Sequence, residues 1–334
     1  MASDRAYLII RADGSTQRGL GHLYRSAALA DMLRNDFQAI LAYREAPDEV
    51  EGFFPETFKH YIDLSTYSVE QEALGLVAEV NKQIGRKTAI YLLDGYQFDD
   101  QYQTTLKQQG LLLACIDDIH AYPFVCDLLI NHASSARRDQ YNASDYTQFL
   151  LGLPFALTRS PFRQQARSRN GAIGSLNDVF VCLGGADPLN LSLDTAKTCL
   201  STPTINIHVV LGPAHPSRDS LTTLQNTHPN RLHLYHNLSA EAIAELMAHC
   251  GIGVTSPSGV ALEYLSTGGH LFLRPFVDNQ QEFYADVTAK GLALPYADFP
   301  QGRVDQGLVT TTFDGRQAER FRAAFQQLLT SKIA

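Results

Sequence analysis

The sequence predicts an α/β protein built from two successive series of strands and helices, and three observations carry this. Short apolar runs rich in β-formers alternate with stretches of helical period along most of the chain. The apolar runs are nearly continuous, as parallel strands covered on both faces are. The chain has 334 residues, and at roughly 100–200 residues per domain this length divides into two domains.

The first series opens with a strand over residues 7–11. A loop over 12–20 follows, carrying Gly14, Ser15 and Gly19. Residues 21–35 read as a helix, because Leu23, Ala27, Ala30 and Leu33 line one face. A strand at 37–43 and an amphipathic helix at 69–84 come next. A buried strand at 88–93 ends at Asp94, a helix occupies 100–109, and a strand at 111–116 ends at Asp117 and Asp118. A short strand at 127–131 closes the series. Residues 158–174 are polar, basic and contain glycine, and they read as an interdomain linker. The second series has strands at 179–183, 206–211, 231–235, 251–255 and 270–275. Its helices fall at 191–200, 217–227, 239–248 and 260–266. A last helix spans 316–332. The expected domains are 1–160 and 175–315, with 316–334 packing back on the first.

Apolar residues make up 45% of the chain and charged residues 19%, which excludes a largely disordered chain. The net charge of −8 and the absence of a long basic run argue against a nucleic-acid partner. No apolar run approaches the ~20 residues of a membrane span. The five cysteines are odd in number, unpaired as C-x-x-C, and set in apolar runs. They read as reduced core residues, and with no signal segment visible the expected location is cytoplasmic.

Ligands of open parallel sheets lie beyond the carboxyl ends of the strands. Asp13, Asp94, Asp117 and Asp118 stand there, as do four polar, glycine-containing segments. In the first, residues 11–25, Gly19 and Gly21 let the chain turn into a helix whose free amides favour an anion. His22 lies in that helix's first turn, where an imidazole either accepts a proton near neutral pH or simply caps or packs. In the second, residues 179–190, Gly184 and Gly185 either admit a diphosphate or form a tight corner. In the third, residues 253–269, Ser258 with the Gly259 and Val260 amides forms another anion site at a helix start. Glu263, one turn on, suits ribose hydroxyls or plain solvent. In the fourth, residues 274–283, amides and carboxylates suit sugar hydroxyls or acetamido groups, or Asp278 caps a helix. There is no P-loop, H-E-x-x-H, G-x-S-x-G or D-x-D, and the histidines lack metal-ligand spacing. Neither a metal nor a cofactor is expected.

Six stretches in order resemble the UDP-2,4-diacetamido-2,4,6-trideoxy-β-L-altropyranose hydrolases of pseudaminic acid biosynthesis, relatives of MurG-type UDP-sugar glycosyltransferases. They are Arg11-Ala12-Asp13 with Gly19-Leu20-Gly21-His22, Asp117-Asp118, residues 126–131, Leu183–Asp187 with Asn190-Leu191-Ser192, residues 256–263, and Asn279-Gln280. The resemblance implies two Rossmann-like domains facing across a cleft, the GT-B-like arrangement, with a UDP-sugar between them. It implies that the C-terminal domain holds UDP, with Ser258 and Gly259 at the phosphate and Glu263 at the ribose. His22 would be the catalytic histidine, and Asn279 would contact the sugar or the reacting water. One departure stands out: the family's Asp-His-Tyr-Gly is here Asp94-Gly95-Tyr96-Gln97.

The expected reaction is metal-independent hydrolysis at the anomeric C–O bond with inversion, releasing UDP and free sugar. His22 would take the water's proton, and Asp13 would orient His22 or bond the loop amides. Arg11, Gly21, Asp94, Tyr96, Gly184, Gly185, Val260 and Gln280 complete the expected substrate contacts. A glycosyltransferase and a non-catalytic nucleotide-sugar-binding protein are the alternatives, and the oligomeric state stays open.

Overall fold

The computed structural model describes residues 5–15, 19–54, 56–169, 171–184, 187, 189–212 and 215–331. The chain divides into two compact units, 1–157 with 317–334, and 158–316.

The first unit carries β1 (Ala6–Ala12), α1 (Gly21–Leu33), β2 (Phe37–Tyr43), α2 (Val50–Phe53), β3 (His60–Asp63), α3 (Glu72–Ile84), β4 (Ala89–Asp94), α4 (Asp100–Gln108), β5 (Leu112–Ile116), β6 (Leu128–Asn131) and β7 (Gln148–Leu151). Its seven strands pair in parallel in the order β3-β2-β1-β4-β5-β6-β7. Successive side chains of a strand point to opposite faces. Leu8, Ile10 and Ala12 of β1 therefore pack with Leu23, Ala27 and Leu33 of α1, while Tyr7 and Ile9 pack with Leu76 and Val80 of α3. With both faces covered, the central strands are mostly apolar, which is why they were legible as near-continuous runs.

The second unit begins with α5 (Ser160–Ser168) and continues through β8 (Ser175–Cys182), α6 (Leu191–Leu200), β9 (Asn206–Leu211), α7 (Arg218–Thr227), β10 (Leu232–His236), α8 (Ala240–His249), β11 (Cys250–Thr255), α9 (Gly259–Thr267), β12 (His270–Leu273), α10 (Gln281–Ala289), β13 (Leu294–Pro295) and α11 (Gln306–Thr312). Its six strands are parallel in the order β10-β9-β8-β11-β12-β13. Both sheets thus run from a first strand outward in one direction and then reverse, which is the doubly wound Rossmann order. The reversal lies between β1 and β4 in one unit and between β8 and β11 in the other. Gly253 and Gly269 are required by packing, because a Cβ at either would overlap the ring of Tyr264. That ring is fully buried beside Phe180, and its hydroxyl donates to the Cys250 carbonyl.

The stretch read as a linker is helical over Ser160–Ser168. Pro161 starts it without wasting a backbone donor, and Phe162 and Ala166 bury its apolar side. The helix read over 69–84 begins only at Glu72, after a turn. The chain's last helix, α12 (Gln317–Ser331), belongs to the first unit. Phe321, Phe325 and Leu328 enter the core that contains Leu33 and Phe37, with the Phe325 ring edge-on to Phe37 at 6.0 Å. Arg322 pairs with Asp36 at the rim.

Phe325 is fully buried, so Phe325→Ala is expected to lower stability by about 3–5 kcal/mol. Urea denaturation checks this; an unchanged midpoint would show that α12 contributes nothing to the first core.

Candidate active site

Asp94 ends β4 beside the reversal point of the first sheet and is completely buried. A buried carboxylate persists as an anion only where donors surround it. Here α1 supplies them, because its residues 22, 25 and 26 share the helix face turned toward the strand end. Arg25 Nη2 and Nε donate to Asp94 Oδ1 at 2.6 and 2.9 Å. Ser26 Oγ donates to Oδ2 at 2.8 Å. His22 Nδ1 lies 2.7 Å from Oδ1. Burial alone would raise the Asp94 pKa, but the Arg25 charge and the His22 and Arg25 hydrogen bonds outweigh it and bring it from 3.8 to about 2.

An ionised carboxylate only accepts, so the 2.7 Å contact is a hydrogen bond when His22 Nδ1 carries the proton. Arg25 Nη2, which can only donate, lies 3.0 Å from the same Nδ1. The carboxylate contact is the shorter and favours the tautomer with the proton on Nδ1, which in a neutral ring leaves Nε2 as the acceptor. The ring of Tyr96 stands edge-on to the imidazole at 4.9 Å. Burial, with Asp118 next, pushes the Tyr96 phenol up to about 12, so it stays protonated. Arg25 also reaches the β5–β6 loop, donating to Asp118 Oδ2 at 2.7 Å. His132, just past β6, has its Nδ1 buried without a hydrogen-bond partner. Burial and the Arg25 charge lower its pKa to about 4 and keep it neutral.

Three sequence-predicted roles need correction. Asp94, expected to contact substrate, is completely buried with its oxygens taken by His22, Arg25 and Ser26. Arg11 is fully buried, with Nε on Glu72 at 2.8 Å and Nη1 and Nη2 on Asp13 at 2.7 and 2.9 Å. Its donors are taken up inside the first unit, so it is a structural residue with no face for a substrate. Asp13 is not the carboxylate that meets His22. It accepts from Arg11, from the Arg44 and Glu45 amides, and from Gln97 Nε2, so it ties β1 to the loop after β2. The orienting carboxylate is Asp94.

Gly21 opens α1 with free space where a Cβ would be. In the second unit, Gly184 follows β8 at φ +92°, a left-handed conformation that glycine adopts without strain, and open space surrounds it. Ser258 is the extended N-cap of α9, its side chain makes no capping bond, and its Oγ lies 3.1 Å from Ser256 Oγ. Gly259 and Val260 form the first turn, with no side chain near Gly259. Glu263 is held by Arg159 in a two-bond fork of 2.7 and 2.8 Å. Gln280 Oε1 accepts from the Phe276 amide at 3.0 Å, bracing the loop before α10. Gly185 and the side chain of Asn279 lie outside the described residues.

Arg25, Ser26, His132 and Arg159 were not singled out from sequence. The first two carried a usable signal, since positions three and four after His22 share its helix face. The others have none, because their partners are distant in the chain.

No protein-family model matches the chain. A UDP-2,4-diacetamido-2,4,6-trideoxy-beta-L-altropyranose hydrolase of Campylobacter jejuni is 27% identical over 300 residues, covering 86% of this chain and 98% of that protein. The resemblance read from the motifs is therefore also the one that extends along most of the chain. Among solved structures, the MurG of Acinetobacter baumannii aligns over 96% of this chain and 99% of its own, at TM-score 0.60 and 12% identity. A putative UDP-N-acetylglucosamine 2-epimerase from Listeria monocytogenes aligns over 98% and 97%, at TM-score 0.60 and 11% identity. At such identities these two speak to the fold, which is the GT-B-like pair of Rossmann domains.

The Asp94 pKa is depressed on folding, from 3.8 to about 2, so the ionised carboxylate stabilises the native state. That contribution is complete above about pH 4 and is lost as pH falls through the folded value. Asp94→Asn is expected to cost about 3–5 kcal/mol at neutral pH, with the gap from the parent protein closing in acid. Denaturation of both proteins across this range checks it; a gap independent of pH would contradict the assignment of the charge.

Proposed function

We propose that the chain hydrolyses a UDP-sugar at its anomeric C–O bond, with UDP-2,4-diacetamido-2,4,6-trideoxy-β-L-altropyranose as the first substrate to try. The observation that carries the proposal is the His22 imidazole, whose Nδ1 lies 2.7 Å from the buried carboxylate of Asp94 while Nε2 has no partner among the described residues. That is the arrangement of a general base.

In this reading a water oxygen attacks the anomeric carbon and gives its proton to His22 Nε2. The bond from that carbon to the UDP oxygen breaks, and UDP departs with the electron pair. Attack from the face opposite UDP inverts the centre. Asp94 holds the ring and faces the positive charge that develops on it. Tyr96 packs against the ring and confines its orientation. UDP is a good leaving group, so the departing diphosphate needs donors more than it needs an acid. The amides after Gly184 and at Gly259 and Val260, with the Ser258 hydroxyl, are assigned to it. Glu263 is assigned to the ribose hydroxyls, with Arg159 fixing its carboxylate plane. Asn279 and the free amide nitrogen of Gln280 are assigned to the sugar. No step requires a metal. A reducing cytoplasm suits the five free cysteines, four of them buried. No helix among the described residues is long and apolar enough to cross a membrane.

The test is incubation with this UDP-sugar, excess EDTA and no acceptor, in ¹⁸O-water. Free sugar carrying ¹⁸O with unlabelled UDP is the expected result, and UDP release that depends on an added acceptor would replace hydrolysis by transfer. His22→Ala is expected to lower kcat by about 10²–10⁴-fold, with UDP affinity little changed. Parent-like turnover in that variant would remove His22 from the chemistry.

A further inference from the structure

The second sheet carries a cluster that the proposed reaction does not use. Asp178 lies on β8, His208 on the neighbouring β9, and His249 ends α8 just before β11. His208 Nε2 is 2.9 Å from Asp178 Oδ1, and His249 Nε2 is 3.5 Å from the same oxygen. One ligand atom from each of the three residues falls within 4.8 Å of the other two. Among the described residues this is the one such group.

Its position separates it from the residues assigned to UDP. Those follow the carboxyl ends of β8 and β11. Asp178 precedes the last four residues of β8, and His249 stands at the amino end of β11. The cluster is therefore near the opposite edge of the sheet.

The distances are compatible with a small cation bridging the three side chains. Asp178 Oδ1 already takes a contact from Asn206 Nδ2 at 3.3 Å. With both imidazoles as N–H donors it would have three donors on one oxygen, more than its lone pairs serve well. A tetrahedral ion with bonds of about 2.0–2.1 Å separates its ligand atoms by roughly 3.3 Å, between the observed 2.9 and 3.5 Å. The outer contacts agree. His208 Nδ1 lies 3.1 Å from the Tyr235 hydroxyl on β10. A proton on Nδ1 donated to Tyr235 leaves Nε2 as a lone pair facing Asp178, the orientation in which metal-binding histidines are usually held. The His233 ring stacks on His208 at 5.1 Å and fixes its plane. Two imidazoles and one carboxylate favour a borderline first-row ion over calcium or magnesium, which prefer all-oxygen sites.

We propose that Asp178, His208 and His249 form a site for a divalent cation of the zinc class, which ties β8 and β9 to the junction of α8 and β11. Solvent supplies the fourth ligand, since His249 is more than half exposed, at 59%. The site's role is to hold the second unit together, apart from the chemistry at His22.

The test uses the full-length, tag-free chain stripped with EDTA, titrated with Co²⁺ and then Zn²⁺. Expected are one ion per chain, the intense visible absorption of tetrahedral Co²⁺, and its loss as Zn²⁺ displaces it. His249→Ala removes a ligand from an exposed position with little threat to folding, and it should weaken Zn²⁺ binding about tenfold or more. It should also abolish a zinc-dependent rise in Tm. Tyr235→Phe keeps all three ligands and is expected to weaken binding about tenfold through His208. Zn²⁺ binding by His249→Ala as tight as by the parent, or no stoichiometric binding by the parent, would overturn the proposal.

Discussion

A carboxylate with no access to water sits where the first sheet reverses direction, and the surrounding elements are arranged to keep it charged. Asp94 closes β4, and its oxygens are filled by three residues of one helix. Arg25 must in turn be shared, because Asp118 in the β5–β6 loop takes another of its nitrogens. Helix, central strand and loop are thereby fixed around one guanidinium. Unpairing such a carboxylate costs several kcal/mol, far more than a surface ion pair contributes. The interaction therefore sets the rotation of α1 about its axis, and with it the direction of the His22 ring. Under the proposed reaction, stability and the setting of the imidazole share the same contacts, because the carboxylate that demands donors also holds the His22 ring.

A second buried ion cluster supports the loop in front of that helix. Arg11 is held between Asp13 and Glu72, with the Tyr102 hydroxyl also on Glu72. Asp13 then reaches the Arg44 and Glu45 amides. Burial lowers an arginine's tendency to stay charged, but the two carboxylates outweigh it and raise its pKa. The Arg-Ala-Asp motif thus belongs to the scaffold of the loop, although the sequence places it beside residues expected to face ligands. A motif can mark a family through the residues that hold its site as readily as through those that touch substrate.

The alternation of elements was legible because parallel strands buried on both faces read as unbroken apolar runs, and because α1 and α3 keep clear helical stripes. The order of the strands was not, since register and crossover are set by contacts distant in the chain. His22 was legible from its glycine-flanked helix start. Its partner was read only as a strand-end carboxylate and substrate contact, because the pair is 72 residues apart. Arg25 and Asp118 are 93 apart, and no local pattern announces such a match. The helix α5 was hidden by its composition: a mean charge and polarity typical of a linker mask the two residues, Phe162 and Ala166, that bury its inner side. The Asp178, His208 and His249 cluster is invisible to spacing rules for the same reason as the Arg25 network, since it comes from two strands and a helix end.

The departure at residues 94–97 is an exchange of bulk between two positions. Where the resembled family has His followed two residues later by Gly, this chain has Gly95 and Gln97. A Cβ at residue 95 would lie 2.6 Å from Gln97 Oε1 and 2.9 Å from the Phe98 ring. The Gln97 side chain occupies that space, and its amide donates to Asp13 at 2.9 Å. The polar group this chain carries in the stretch therefore braces the loop. Gln97 can swing aside, but Phe98 is buried under the Arg11 guanidinium at 5.2 Å and cannot follow it. A histidine cannot simply be restored at 95 without disturbing the ion cluster beneath it. Under the proposed reaction, recognition of the sugar at this corner falls to Tyr96, whose half-exposed ring is the nearest neighbour the His22 imidazole presents to a ligand. On the same reading, the glycine alters the surface presented beside His22 while the His22–Asp94 pair is kept.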